Sequence, residues 1–310
     1  MGFWKDSESI LVKGSYQLRM YSLHDIDKPE LQEICEWLYK NFCIHPRLEI
    51  AADDLLYELD TMVVIYSNSK IIGTVRHKHL SNNIYLIDCF CVHHEMREKG
   101  IGTLLLSTIK EYANQAGRRR AVFLKEGAPL FIPCLPFYSS TYVYRSVHPT
   151  LSTNVLILPT RLGHILARTF CKIYPNTFLI LKTDTANQHW RLYRTNGHCI
   201  LACFQDASQR LYNKKMGWVT VLLKMIGNKS TYSLYNSAIN QLIDSVPMFD
   251  YVWMDSRHLY NGSSDWKNMS SSHNNGMSDW KNDGKFHWYR YQWTNETKDE
   301  TETEFGGIMV

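Results

Sequence analysis

The chain has 310 residues, of which 45% are hydrophobic and 21% are charged, and this ordinary composition excludes a disordered, collagen-like or mucin-like protein. The formal net charge of +4 is uneven, because residues 294–304 hold five acids and one lysine, a net of −4, which leaves +8 elsewhere. A basic body suits an anionic small molecule such as a nucleotide or coenzyme, whereas the only basic run, residues 118–120, is too short to indicate nucleic acid.

Neither cysteine spacing nor hydropathy indicates a secreted or membrane-spanning protein. The eight cysteines form no C-x-x-C pair, which predicts reduced, buried thiols. No apolar stretch approaches the roughly 20 residues that a membrane-spanning helix needs, and the N-terminus lacks a basic start followed by an apolar run. We therefore expect a cytoplasmic protein without a transmembrane segment.

In the first half of the chain, hydrophobic periodicity predicts an α/β unit with the element order β-β-β-α-β after two initial helices. The predicted elements are helices at residues 30–41, 53–59 and 101–115, and strands at residues 61–67, 70–78, 84–92 and 121–124.

The second half has a weaker pattern. The predicted elements there are strands at residues 177–182, 190–193, 199–204, 218–223, 249–254 and 287–293, and a helix at residues 232–244. A Ser/Asn/Gly-rich insert contains the pentapeptide S-D-W-K-N twice, at residues 264–268 and 278–282. Two copies are too few for a solenoid, so a duplicated surface loop is the better interpretation.

The segment between the predicted strand at residues 84–92 and the following helix carries the clearest chemical motif. It contains R-x-x-G-x-G, formed by Arg97, Gly100 and Gly102. Glycines let the backbone approach a ligand closely, and the first amide groups of a helix can bind phosphate. Arg97 and Lys99 add positive charge for a pyrophosphate. The alternative interpretation is an ordinary strand-to-helix turn.

This pattern resembles the coenzyme A pyrophosphate loop of the GNAT acyltransferase fold. The resemblance implies a bulge in the strand before the loop, which leaves backbone N–H groups facing the thioester carbonyl. A closer resemblance is to protein N-myristoyltransferases, because F-C-V-H followed by R-x-K is similar to their "LCVH…RSKRVA" segment. Further similar segments occur in the family's order at residues 3–6, 47–59, 141–149 and 283–293.

The resemblance implies a mixed α/β fold of the GNAT type, with two pseudo-symmetric GNAT-like lobes and a mixed, twisted sheet. Residues 1–148 would form the acyl-CoA lobe. Residues 149–310 would form the peptide lobe, with a flexible insert at residues 256–282 and a C-terminal tail that returns to the active site.

The resemblance also implies site residues. The acyl-CoA contacts would come from Phe3, Trp4, Phe90, Cys91, Val92, Arg97, Glu98, Lys99, Gly100, Ile101 and Gly102. The peptide contacts would come from Phe42, Tyr142, Ser208 and Asp255.

By the same resemblance, the α-carboxylate of Val310 is the catalytic base, and the N–H groups of Cys89 and Phe90 form the oxyanion hole. A terminal carboxylate is ionised at neutral pH and can accept a proton from a glycine ammonium group. The implied activity is transfer of myristate from myristoyl-CoA to the N-terminal glycine of a protein or peptide, by a monomer that releases coenzyme A.

Two alternatives remain open. Gly100 and Gly102 replace larger residues of the family, which favours a general GNAT N-acetyltransferase that uses acetyl-CoA. The other alternative is a non-catalytic descendant that binds peptides or acyl chains. We expect no metal, because the histidine pairs at residues 77/79 and 93/94 lack further ligands at the usual spacing.

Overall fold

A computed structural model describes residues 11–13, 16–22, 26–42, 46–50, 60–81, 84–118, 120–126, 136–173, 188–195, 198–227, 232–259 and 279–292. The chain divides into two compact units. The first unit draws its described residues from Met1–Tyr138, Ser208–Tyr212 and Trp288–Glu296, and the second from Ser139–Ala207, Asn213–His287 and Thr297–Val310. The predicted boundary after residue 148 stays a prediction.

The first unit contains a mainly antiparallel sheet. Its strands are β1 (Leu11–Lys13), β2 (Tyr16–Ser22), β3 (Arg47–Leu48), β4 (Thr61–Ser67), β5 (Lys70–Ser81), β6 (Ile84–Val92) and β7 (Arg120–Glu126). The order is β1-β2-β4-β5-β6-β7, and only β6 and β7 are parallel among these pairs.

Helices α1 (Lys28–Asn41) and α2 (Ile101–Gln115) cover opposite faces of this sheet. Alternate residues of β4 show this, because Met62 and Val64 pack in the cluster that contains α1, while Val63 and Ile65 pack in the cluster that contains α2. A strand covered on both faces is continuously apolar, which explains the run from Met62 to Tyr66.

The second unit repeats this arrangement with other elements. Its strands are β8 (Pro136–Ser146, from Ser139 onward), β9 (Val155–Leu158), β10 (Gln188–Thr195), β11 (His198–Leu211, as far as Ala207), β12 (Lys214–Gly227) and β13 (Tyr251–Asp255). Strand β14 spans Lys281–Gln292 and belongs to this unit as far as His287. Strands β8 to β13 are ordered β8-β13-β12-β11-β10-β9. Helices α3 (Thr160–Ile173) and α4 (Tyr232–Asp244) pack on opposite faces, since Leu201 belongs to the α3 cluster and Ile200 to the α4 cluster.

Several predicted elements are confirmed, including the helices at residues 101–115 and 232–244 and the strands at residues 61–67 and 84–92. The predicted helix at residues 53–59 and the predicted strand at residues 177–182 lie outside the described residues. The predicted insert at residues 256–282 starts in a 3-10 helix, Ser256–Leu259, and ends in β14.

A buried histidine stands among aromatic and basic side chains of the first unit. The His77 side chain is fully buried and stacks on Tyr85, with ring centroids 4.2 Å apart. Its Nδ1 lies 3.2 Å from a guanidinium nitrogen of Arg118. Burial, and then the positive charge of Arg118, lower the pKa of His77 to about 3.

This lowered pKa predicts a specific loss of stability on acidification. Between pH 6.5 and about pH 3, the unfolded chain takes up a proton at His77 that the folded protein does not. The free energy of unfolding should therefore fall with falling pH, by up to about 1.4 kcal/mol per pH unit from this group. Urea denaturation at pH 7.5 and pH 5 should show a smaller fall in His77→Gln than in the wild-type protein.

The matched control is His94→Gln, because the His94 side chain is 71% exposed. This control should retain the pH dependence of the wild type. If the free energy of unfolding had the same pH dependence in His77→Gln and in the wild type, His77 would not be the source of the loss of stability.

Candidate functional site

The β5–β6 pairing is interrupted at one point near the end of β6. Thr74 lies opposite Cys91, but Arg76 lies opposite Asp88, so Cys89 and Phe90 together face a single residue of β5. Cys89 has a positive φ of 47°. These features define a β-bulge, which takes the peptide groups at Cys89 and Phe90 out of the regular ladder. The described pairing of β6 with β7 ends at Ile87, so the end of β6 diverges from β7.

Two polar side chains of β5 hold the bulge. The Thr74 hydroxyl donates a hydrogen bond to the Cys89 carbonyl oxygen at 2.8 Å. The Arg76 guanidinium donates two hydrogen bonds to the Asp88 carboxylate, both at 2.7 Å. Burial alone would raise the pKa of Asp88, but the adjacent positive charge of Arg76 overcomes this and holds the pKa below its ordinary value. Asp88 is therefore ionised at neutral pH.

A tight loop connects β6 to α2. It contains a 3-10 turn, His94–Met96, and ends at Gly100, whose φ of +80° favours glycine. Gly100 is the N-cap of α2 and supplies no capping side chain. The first amide groups of α2 therefore have no side-chain cap, and such amides bind anions readily.

Gly102 allows this loop to approach the bulge. A Cβ atom at Gly102 would lie 3.1 Å from the Cζ atom of Phe90, which is tighter than ordinary contact. The Phe90 side chain is 37% exposed. The ring of Phe90 thus lies directly against the start of α2, and the bulge and the helix N-terminus form one site.

A cavity of about 320 Å³ lies at this position in the first unit. It is lined by Phe42, Phe90, Cys91, Val92, Met96, Arg97, Glu98 and Gly102. Six of these residues belong to the predicted acyl-CoA set, and Phe42 was predicted to contact the peptide. Met96 was not predicted, because a methionine in a short turn carries no sequence signal.

The remaining loop residues surround the cavity in different ways. Arg97 is exposed, and its Nε–H points to the Val92 carbonyl oxygen at 3.4 Å. Lys99 is exposed, with its Nζ 3.9 Å from the Met96 sulfur. Ile101 instead buries its side chain in the core between α2 and the sheet. The loop therefore presents two exposed cations beside the helix N-terminus.

The two thiols of β6 are suited to packing. Cys89 is buried, and burial followed by the negative charge of Asp88 raises the pKa of its thiol, so it is protonated at neutral pH. The Cys91 thiol is also buried and points to the Asn41 carbonyl oxygen at 3.2 Å. A protonated, buried thiol is a poor acyl-carrying nucleophile.

The other predicted residues are divided between the two units and the part of the chain that the structure does not describe. Tyr142 and Asp255 are buried opposite each other on β8 and β13 of the second unit, where Tyr142 stacks on Trp253 with centroids 4.2 Å apart. Ser208 has a φ of +54°, and its carbonyl oxygen accepts a hydrogen bond from the Glu49 amide at 2.7 Å in the first unit. Phe3, Trp4 and Val310 lie outside the described residues, and their roles stay predictions.

Two features are absent from the described residues. No three His, Cys, Asp or Glu side chains within these ranges are grouped so that they could hold a metal ion. None of the helices in the same ranges is both long and apolar enough to span a bilayer.

The site lies in a segment of the chain that a family model matches. The Acetyltransferase (GNAT) family model matches residues 20–140, which include the bulge, the loop and the cavity. This segment is a GNAT domain. No curated protein matches the chain.

The GNAT domain belongs to a chain whose fold is similar to solved N-myristoyltransferase structures. Three crystal structures of the Saccharomyces cerevisiae enzyme with bound myristoyl-CoA, one of them also with inhibitors, match with TM-scores of 0.57, 0.59 and 0.60. The identities are 11%, 10% and 11%, covering 91–93% of this chain and 81–83% of theirs. At this identity the likeness concerns the fold, and it confirms the predicted mixed α/β, GNAT-type class.

Proposed function

We propose that this chain transfers myristate from myristoyl-CoA to the N-terminal glycine amine of proteins. The observation that carries the proposal is the cavity at which the β6 bulge and the uncapped N-terminus of α2 meet. Further support comes from the similarity of the fold to N-myristoyltransferases along most of the chain.

The residues around the cavity fit an acyl-CoA. The first amides of α2, together with the exposed cations of Arg97 and Lys99, suit the pyrophosphate of coenzyme A. Phe42, Phe90 and Met96 give the cavity apolar walls that suit an acyl chain. Glu98 is an acidic residue in this lining, and it suits a cationic amine better than a phosphate.

The chemistry in this proposal is direct attack. The glycine amine forms a bond to the thioester carbon, the carbon–sulfur bond breaks, and coenzyme A leaves as the thiolate. The backbone N–H groups of Cys89 and Phe90, outside the β-ladder, stabilise the developing oxyanion, a contribution of about 3 kcal/mol per donor. The Val310 α-carboxylate accepts the amine proton. Cys89 and Cys91 form no covalent intermediate.

The experiment that tests the proposal is an acyl-transfer assay with defined peptides. The protein is incubated with myristoyl-CoA and peptides that begin with glycine, and the products are identified by mass spectrometry. We expect a tetradecanoyl group on the N-terminal nitrogen. A matched peptide with an N-acetylated glycine should remain unmodified. Absence of acylated product with folded protein and a broad peptide panel would contradict the proposal.

Two other functions are separated by variations of this assay. N-acetyl transfer is favoured by the GNAT match and by Gly100 and Gly102, and competition between acetyl-CoA and myristoyl-CoA distinguishes it. A non-catalytic binder would tolerate residues added after Val310. The proposed enzyme should lose turnover with such an extension and still bind acyl-CoA.

A further inference from the structure

Helix α3 in the second unit has an unusual outer side. Its inner side packs against the sheet through Gly163, Ala167 and Phe170. Its outer side exposes three large aliphatic side chains, with exposed fractions of 41% for Leu162, 51% for Ile165 and 66% for Ile173. Aliphatic side chains grouped on one exposed surface commonly mark an interaction site.

The adjoining strand extends this surface. β9 is the last strand in the described sheet of the second unit. Leu156 of β9 lies opposite Leu192, which packs in the α3 cluster, so Leu156 is on the same side of the sheet as α3. Its side chain is 47% exposed.

Three basic side chains lie among these aliphatic residues. Arg161, Arg168 and Lys172 are exposed on α3, and none of them forms an ion pair with a residue that the structure describes. We call the combined surface the α3 face; it consists of Leu156, Arg161, Leu162, Ile165, Arg168, Lys172 and Ile173.

The surrounding sequence has no compensating negative charge. Between Glu126 and Asp184 the chain contains no acidic residue, whereas it contains five Arg and Lys residues. The α3 face is therefore complementary to an anionic partner, and its aliphatic side chains require that partner to offer an apolar phase as well.

We propose that the α3 face docks on a bilayer that contains anionic phospholipids. An amphipathic helix with basic and aliphatic residues binds such an interface by burying the aliphatic side chains below the headgroups. The helix is about 21 Å long, shorter than the roughly 30 Å hydrocarbon core, so it lies along the surface. A nucleic acid fits less well, because phosphates would pair with the basic side chains but would leave the aliphatic ones without an apolar environment. This proposal is independent of the acyl-transfer activity.

The test is co-sedimentation of the full chain with vesicles. Vesicles of phosphatidylcholine alone are compared with vesicles that also contain phosphatidylserine, at low and high salt. We expect binding that requires phosphatidylserine and weakens with salt. The triple variant Arg161→Gln/Arg168→Gln/Lys172→Gln should lower the partition coefficient about 100-fold, since each basic residue near the surface contributes about fivefold. Ile165→Gln should also weaken binding.

Matched controls lie on other helices. Lys110→Gln replaces an exposed lysine of α2, and Leu234→Gln replaces a leucine of α4 that is 54% exposed. Both should bind as the wild type does. Circular dichroism verifies folding of each variant, and the single variant Ile165→Gln replaces the triple variant if that one does not fold.

Three results would overturn the proposal. One is no binding of the folded wild type to phosphatidylserine vesicles at low salt. Another is an equal loss of binding in the α3 variants and the two controls. The third is a dimer in analytical ultracentrifugation that Ile165→Gln dissociates, because a second copy would then occupy the face.

Discussion

Asp88→Asn is expected to lower the free energy of unfolding by about 3 kcal/mol, because it leaves the buried Arg76 charge without its carboxylate. The Arg76 side chain is only 4% exposed, and both of its hydrogen bonds to Asp88 are charge-assisted. An asparagine retains one acceptor oxygen but no negative charge. Urea denaturation at pH 7 measures the difference.

The matched control is Glu95→Gln, since the Glu95 carboxylate is 74% exposed in the loop after β6. Glu95→Gln should leave the free energy of unfolding almost unchanged. A double variant, Arg76→Met/Asp88→Leu, should be less destabilised than Asp88→Asn alone, because neither charge of the pair is then left without the other. An equal loss of unfolding free energy in Asp88→Asn and Glu95→Gln would contradict the stabilising role of the Arg76–Asp88 pair.

The elements of the first unit could be predicted because local pattern and tertiary burial agree there. The apolar run at residues 62–66 requires a strand covered on both faces, and α1 and α2 cover it. Helix α3 was missed because Gly163 stands within it and lowers the local preference for helix. The structure explains this glycine, since a Cβ atom there would overlap the Trp190 ring. The glycine at position 163 is therefore required by packing against Trp190, a residue that is distant in the sequence.

The candidate site shows the same division between local and long-range information. The loop from Arg97 to Gly102 could be predicted, since glycines and cations between a strand and a helix are a local signal. The side chains that hold the bulge could not, because their role depends on the β5–β6 register. Their one available signal is the spacing of Thr74 and Arg76, two polar residues that flank the apolar Val75 and therefore share one face of the strand.

Gly102→Val should raise the dissociation constant for coenzyme A about 100-fold, the equivalent of one or two charge-assisted hydrogen bonds. A Cβ atom at this position would lie 3.1 Å from the Phe90 ring, and the branched side chain would enter the cavity beside the first amides of α2. Isothermal titration calorimetry with coenzyme A and with myristoyl-CoA measures the change. Gly102→Ala should weaken binding less.

The free energy of unfolding distinguishes weaker coenzyme A binding from a loss of folding. An alanine at position 102 favours the helix, so it should not destabilise the protein even though it weakens binding. Alanine in place of a helical glycine stabilises the helix by about 0.5–1 kcal/mol. The partly exposed Phe90 ring can shift to accommodate one methyl group. Gly102→Ala should therefore keep or raise the free energy of unfolding while it weakens coenzyme A binding. Thr103→Val changes an exposed neighbour in the same helical turn and should leave binding unaltered. Wild-type affinity in Gly102→Val would mean that coenzyme A binds away from this helix terminus.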